Sequence, residues 1–150
     1  MIFKMQKIII SLVCLFPVLV FANIGEGVGY WAVKCGGFGG SVEIESSNEI
    51  KININDNNLY ISGFIQKDYN GQLKLFYKDV IETMNETIDW SVISQSKPIA
   101  DVTFKNGTMH MKWKGFFDTK HNNYIWKSEP DFVVASGDRL NVEMNKCEFK

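Results

Sequence analysis

Apolar and polar residues alternate with a period of two over most of the chain, the pattern of strands with one face buried. Val42 and Ile44 alternate with Glu43 and Glu45, and Ile50, Ile52 and Ile54 alternate with Lys51, Asn53 and Asn55. A three-residue loop Ser46-Ser47-Asn48 predicts Ile44 opposite Ile50 and Val42 opposite Ile52. Asn48 then takes the left-handed position such loops need. Asn57-Asn58 tolerates positive φ at both central turn positions, and a two-residue turn there sets Ile54 opposite Ile61. Asn70-Gly71 predicts a hairpin between residues 59–67 and 72–78. Its register stays open, because Phe64, Ile65, Leu75 and Phe76 place apolar groups on both faces.

The sharpest hairpin signal is Asn106-Gly107. A two-residue turn pairs Phe104 with Met109, Val102 with Met111 and Ala100 with Trp113 on one face. The other face pairs Thr103 with His110 and Asp101 with Lys112. Further strands are expected at 30–35, 123–127, 132–135 and 140–149. Segment 79–97 breaks the period. Val80, Ile81, Met84, Ile88 and Val92 fit one helical stripe, so a helical turn or a long excursion over one barrel end is expected there. Consecutive short hairpins imply an all-β fold, a small antiparallel meander barrel or sandwich of about eight strands.

Residues 1–22 read as a signal peptide: Lys4 and Lys7 precede an apolar run from Ile8 to Phe21, and Ala22 offers a cleavage point. The run falls short of the ~20 residues a membrane-spanning helix needs, and Pro17 interrupts it. Residues 23–150 then form a single domain. Removing Lys4 and Lys7 and no acid takes the formal charge from −1 to −3. With Arg139 the only arginine and lysines scattered, no nucleic-acid partner is expected. Cys14 leaves with the leader, and its neighbour Val13 does not suit a lipid-anchoring signal. The remaining pair, Cys35 and Cys147, predicts a disulfide in a periplasmic or secreted protein. The chain-entropy model assigns roughly 4–5 kcal/mol to so long a loop. A lysine-rich, arginine-poor chain suggests a bacterial source. Asn85-Glu86-Thr87 and Asn106-Gly107-Thr108 fit the glycosylation pattern, which then has no role.

Candidate chemistry is sparse. His110 belongs to the polar face of a strand and His121 to a polar loop, and neither sits in a catalytic or metal-binding motif. The chain reads as a non-enzyme with no cofactor and no metal site. Aromatic density rises around Trp113, Phe116, Phe117, Tyr124, Trp126 and Phe132. Consecutive Phe116 and Phe117 point to opposite faces of an extended chain, so one of them approaches solvent. Phe116, Phe117, Asp118, Trp126, Asp131 and Phe132 are the candidate partner-binding residues, aromatic anchors with flanking carboxylates.

Two resemblances bear on function. Gly29-Tyr30-Trp31 resembles the G-x-W near the first strand of lipocalins and the avidin family. That implies Trp31 closing the barrel bottom, with Arg139 a substitute for the arginine that packs over the lipocalin tryptophan. The leader, the early Trp31-Ala32-Val33-Lys34-Cys35 and the late Cys147 resemble small periplasmic β-barrel inhibitors of C-type lysozymes, and exported immunity proteins share that plan. Those inhibitors insert a Ser-Gly loop into the enzyme. The pairs here are Ser62-Gly63, in mid-strand, and Ser136-Gly137, in a turn, and the second inhibitor motif is missing. The resemblance implies an exported, non-catalytic periplasmic protein that inhibits a cell-wall-degrading enzyme, either a lysozyme or a peptidoglycan-cleaving toxin. The alternative is a lipocalin-like carrier of a small apolar ligand.

Overall fold

The computed structural model describes residues 24–56, 58–84 and 86–148. The expected leader 1–22, Asn23, Asn57 of the Asn-Asn turn, Asn85 of the first glycosylation pattern and residue 149 of the last expected strand lie outside the described residues. The elements are α1 (Ile24–Gly27), β1 (Gly29–Ala32), β2 (Ser41–Ile44), β3 (Glu49–Asn55), β4 (Leu59–Lys67) and β5 (Leu73–Thr83). A 3₁₀ turn (Trp90–Val92) precedes β6 (Pro98–Lys105), β7 (Thr108–Trp113), β8 (Phe116–Asp118) and β9 (Asn123–Ile125). They are followed by α2 (Asp131–Ser136) and β10 (Val142–Cys147).

Eight strands close into an antiparallel barrel in the order β1-β10-β7-β6-β5-β4-β3-β2, and β8 pairs with β9 alone. First and last barrel strands are neighbours, with Tyr30 opposite Cys147. Cys35 and Cys147 form the disulfide, their Cα atoms 5.5 Å apart across a sequence separation of 112. Such a bond is compatible with an oxidising environment. The β2–β3 and β6–β7 hairpins carry every pairing expected of them, and Asn48, Asn106 and Gly107 have φ of 67°, 53° and 74°. In the β4–β5 hairpin, Ile65 and Leu75 pair facing inward, while Phe64 and Phe76 stack outside with centroids 5.0 Å apart. Gly63 lies against β5: a Cβ there would collide with the Phe76 carbonyl.

Three expectations are corrected. Ile61 faces Ile52 rather than Ile54, because the β3–β4 pairing shifts between Asn53 and Asn55. Ile54 stays buried through that bulge. Residues 132–135 are helical: Pro130 sets the start, and Gly137 (φ 73°) closes α2 with its N–H donating to the Val133 carbonyl at 2.9 Å. In 79–97 the stripe does not form one helix, while the expected helical turn and long excursion are both present. Residues to Thr83 complete β5, and among the described residues of the excursion that follows Trp90–Val92 makes the helical turn.

The barrel interior is a close-packed column including Val42, Ile44, Ile52, Ile61, Leu75, Val102, Met109, Met111 and Met144, each at most 1 % exposed. Its two ends are closed by aromatic side chains. Trp31 fills the end where the strands are joined by tight turns. Its Nε1 donates to the Gly27 carbonyl at 2.7 Å, and the Phe104 ring lies 5.2 Å away. The cation over Trp31 is Lys146, at 5.6 Å, and not Arg139, whose guanidinium instead reaches the Trp113 carbonyl at 3.4 Å. The opposite end is plugged by Tyr77, Trp90, Trp113, Phe116 and Phe132, with ring centroids 5.2–6.0 Å apart, mostly edge to face.

Candidate functional site

In an up-and-down barrel, alternate connections gather at the same end. Here the β1–β2 (33–40), β5–β6 (84–97) and β7–β10 (114–141) connections, all long, share one end with the β3–β4 turn. Among the described residues, the connections between barrel strands that are longer than a tight turn all lie at this loop end.

Its foremost residue is Phe38, 87 % exposed on the β1–β2 connection. The sequence around it, Cys35-Gly36-Gly37-Phe38-Gly39-Gly40, would leave a free chain highly mobile, yet the loop is held from both sides. The disulfide fixes Cys35. Beyond Phe38, the Gly39 N–H donates to Asp56 Oδ2 at 2.9 Å. Gly40 (φ 72°) packs so tightly on the Asn53 carbonyl and the Phe132 ring that a Cβ would not fit. Asp56 also accepts from Asn53 Nδ2 at 2.6 Å. Asp131, the first residue of α2, accepts from the Asp56 N–H and from Asn55 Nδ2, each at 2.8 Å. The aromatic tip thus stands on a hydrogen-bonded brace running from α2 through the β3–β4 turn. Val134 of α2, 70 % exposed, adds a second apolar side chain to this end.

The expected partner-binding residues divide in two. Phe116 and Phe132 are fully buried in the aromatic plug and present nothing to a partner. Asp118 is also buried. It accepts from the Lys120 and His121 N–H groups at 2.8 and 3.0 Å and pairs with His121 Nδ1 at 2.7 Å. The His121 side chain and these N–H groups hold its carboxyl below the usual carboxylate range against the opposing effect of burial. Asp131 is the brace just described. Phe117 and Trp126 are half-exposed. Phe117 stacks edge-on against Tyr124 at 5.1 Å with Lys97 Nζ 5.5 Å from its ring. Trp126 adopts φ 56°, uncommon for a bulky side chain, and its carbonyl accepts from Trp113 Nε1 at 2.8 Å. Its side chain borders two shallow clefts, one shared with Met84 and Asn58 and one with Tyr124 and Lys127.

Sequence reasoning missed Phe38. The signal was an isolated aromatic between two glycine pairs directly after a cysteine, a composition that buries nothing locally. The two Ser-Gly pairs have structural positions: Ser62-Gly63 lies within β4, and Ser136-Gly137 ends α2. His110 Nδ1 lies 3.2 Å from Asn141 Oδ1, and no group of three potential metal ligands occurs among the described residues. No protein-family model matches the chain, and no curated protein or solved structure matches it either.

Proposed function

We propose that the chain is an exported, non-catalytic binding protein of the bacterial periplasm that inhibits a cell-wall-degrading enzyme, a lysozyme or a peptidoglycan-cleaving toxin, by seating its loop end in the enzyme's cleft. The observation that carries this reading is Phe38, a solvent-exposed aromatic on a loop whose two flanks are pinned. Ordering a glycine-rich loop on binding costs free energy, and pinning it beforehand removes part of that cost. An exposed aromatic so held suits an interface anchor. The carrier alternative needs a hollow barrel. The inward-facing positions are instead filled by side chains that are almost wholly buried.

The test is inhibition of wall clearing by a panel of muramidases, amidases and lytic transglycosylases. At least one is expected to be inhibited stoichiometrically. Phe38→Ala, with an unchanged circular dichroism spectrum, should weaken inhibition about 30-fold, the equivalent of roughly 2 kcal/mol. A panel with no inhibited member overturns the proposal. Full potency in Phe38→Ala moves the contact elsewhere.

A further inference from the structure

On the outer wall of the barrel, beside the loop end, a cleft of about 290 Å³ has Tyr30, Ser41, Asn53, Tyr60 and Glu82 in its lining. Strand register explains it. Ser41, Asn53, Tyr60 and Glu82 are successive partners across β2, β3, β4 and β5, and all face outward because Val42, Ile52 and Ile61 face inward. Tyr30 enters from β1, opposite Glu43. Small Ser41, itself buried, leaves a gap between the larger side chains.

We infer that this cleft is a binding site for a cationic side chain, a guanidinium by preference, presented by a partner's surface. The hydrogen-bonding inventory of its lining points that way. The amide donors of Asn53 and Asn55 are committed, to Asp56 and to Asp131 and the Glu129 carbonyl. The Glu82 carboxylate only accepts, and tyrosine ring faces attract cations. Asn58 and the hydroxyls of Ser41 and Tyr60 can serve in either sense. What is missing is a group rich in donors with no acceptor of its own, which describes guanidinium and ammonium and not an anion or a neutral apolar ligand.

Local charge agrees. Among the described residues, Glu43 and Glu82 take part in no ion pair, and the nearby cation Lys51 is occupied by Glu45 at 2.7 Å. Burial first, and the Glu43 charge second, raise the Tyr60 hydroxyl's pKa, so the phenol stays neutral and leaves the negative charge to the carboxylates. The preference for guanidinium over ammonium follows from its planar shape, which stacks on a tyrosine ring while its edge N–H groups meet Glu82.

The cleft can be probed with no wall enzyme present, so failure here is distinguishable from failure of the inhibitory reading. The probe is N-acetyl-arginine amide, titrated into the disulfide-bonded protein and followed by amide chemical shifts. Comparators are the lysine analogue, the neutral citrulline isostere and chitotriose. The arginine probe should shift residues 30, 53, 60 and 82, bind at least tenfold more tightly than citrulline and weaken with added salt. Glu82→Gln, at an exposed position, should weaken it at least threefold. Tyr60→Leu should abolish it, and Phe38→Ala should leave it unchanged. Equal binding of citrulline, or saturation of these residues by chitotriose but not by arginine, overturns the inference and assigns the cleft to neutral ligands or glycans.

Discussion

At the turn end of the barrel, residues 45–48, 68–72 and 106–107 join neighbouring strands through hydrogen bonds made within each turn, such as Asn48 N–H to the Glu45 carbonyl at 3.0 Å. At the loop end, residues 33–40 and 114–141 are held by partners far along the chain. Asp131 grips Asn55 and Asp56, and Cys35 is bonded to Cys147. Local bonds organise the first end, with a few longer-range ones such as Ile65 N–H to the Asn48 carbonyl at 2.9 Å, while long-range contacts hold the other. Each end also carries a highly exposed aromatic, and the difference holds there too. Tyr69, 96 % exposed, rides a short turn organised by Asp68 and keeps a hydroxyl for water, whereas Phe38 has no polar handle. Exposure of Phe38 therefore has no solvation benefit to offset it.

If the loop end is a cap on the same core, removing its central ring should be the most damaging change. Phe116 meets Tyr77, Trp90 and Trp113 and is fully buried. Phe116→Ala should cost about 3–5 kcal/mol in urea unfolding, because the surrounding rings cannot collapse fully into the space. A cost below about 1 kcal/mol would mean that the plug packs loosely and the two ends are not one cooperative unit. The corresponding lesion at the turn end should be smaller. Gly107 has φ 74° with open space where a Cβ would go, so Gly107→Ala meets backbone strain alone, about 1 kcal/mol. A larger loss for Gly107→Ala than for Phe116→Ala would invert the comparison.

The same contrast explains what the chain made legible. Both hairpins whose turn residues dictate backbone geometry, around Asn48 and Asn106-Gly107, carry the register their alternation implies. The Asn57-Asn58 hairpin did not, since the Asp56 N–H is taken by Asp131 from 75 residues away, a contact no local rule contains. Residues 132–135 look strand-like because of Val133 and Val134, but Pro130 and Gly137 bracket a short helix whose Phe132 is buried against Trp113. Tertiary burial outweighed β propensity there. The candidate site was legible only in outline. Aromatic density marked the loop end, but the buried plug supplies most of it. The exposed anchor lay in a glycine-rich segment with no periodic signal.

Asp118 supplies the finest test, because it ties two excursions of the loop end together. Its strand segment meets Ile93 of the β5–β6 excursion, and its carboxylate closes the turn to His121. The hydrogen bond with the His121 side chain, followed by the N–H bonds, lowers its pKa, so in acid the unfolded chain binds this proton more readily than the folded one. The contribution to stability is therefore complete above the ordinary aspartate range and fades as pH falls through the lowered value. Asp118→Asn should be less stable than the parent near pH 6, and the gap should close toward pH 2 in urea midpoints. Asp68 at the turn end also has a lowered pKa: burial pushes it up, and N–H bonds from Gln72 and Asn70 with the Lys74 charge outweigh that. Both ends thus contribute to acid sensitivity, and only the difference between parent and variant isolates Asp118. A gap that stays constant across this range would show that the carboxylate's charge does not hold the turn, leaving the Ile93 bridge and the buried rings to join the two excursions.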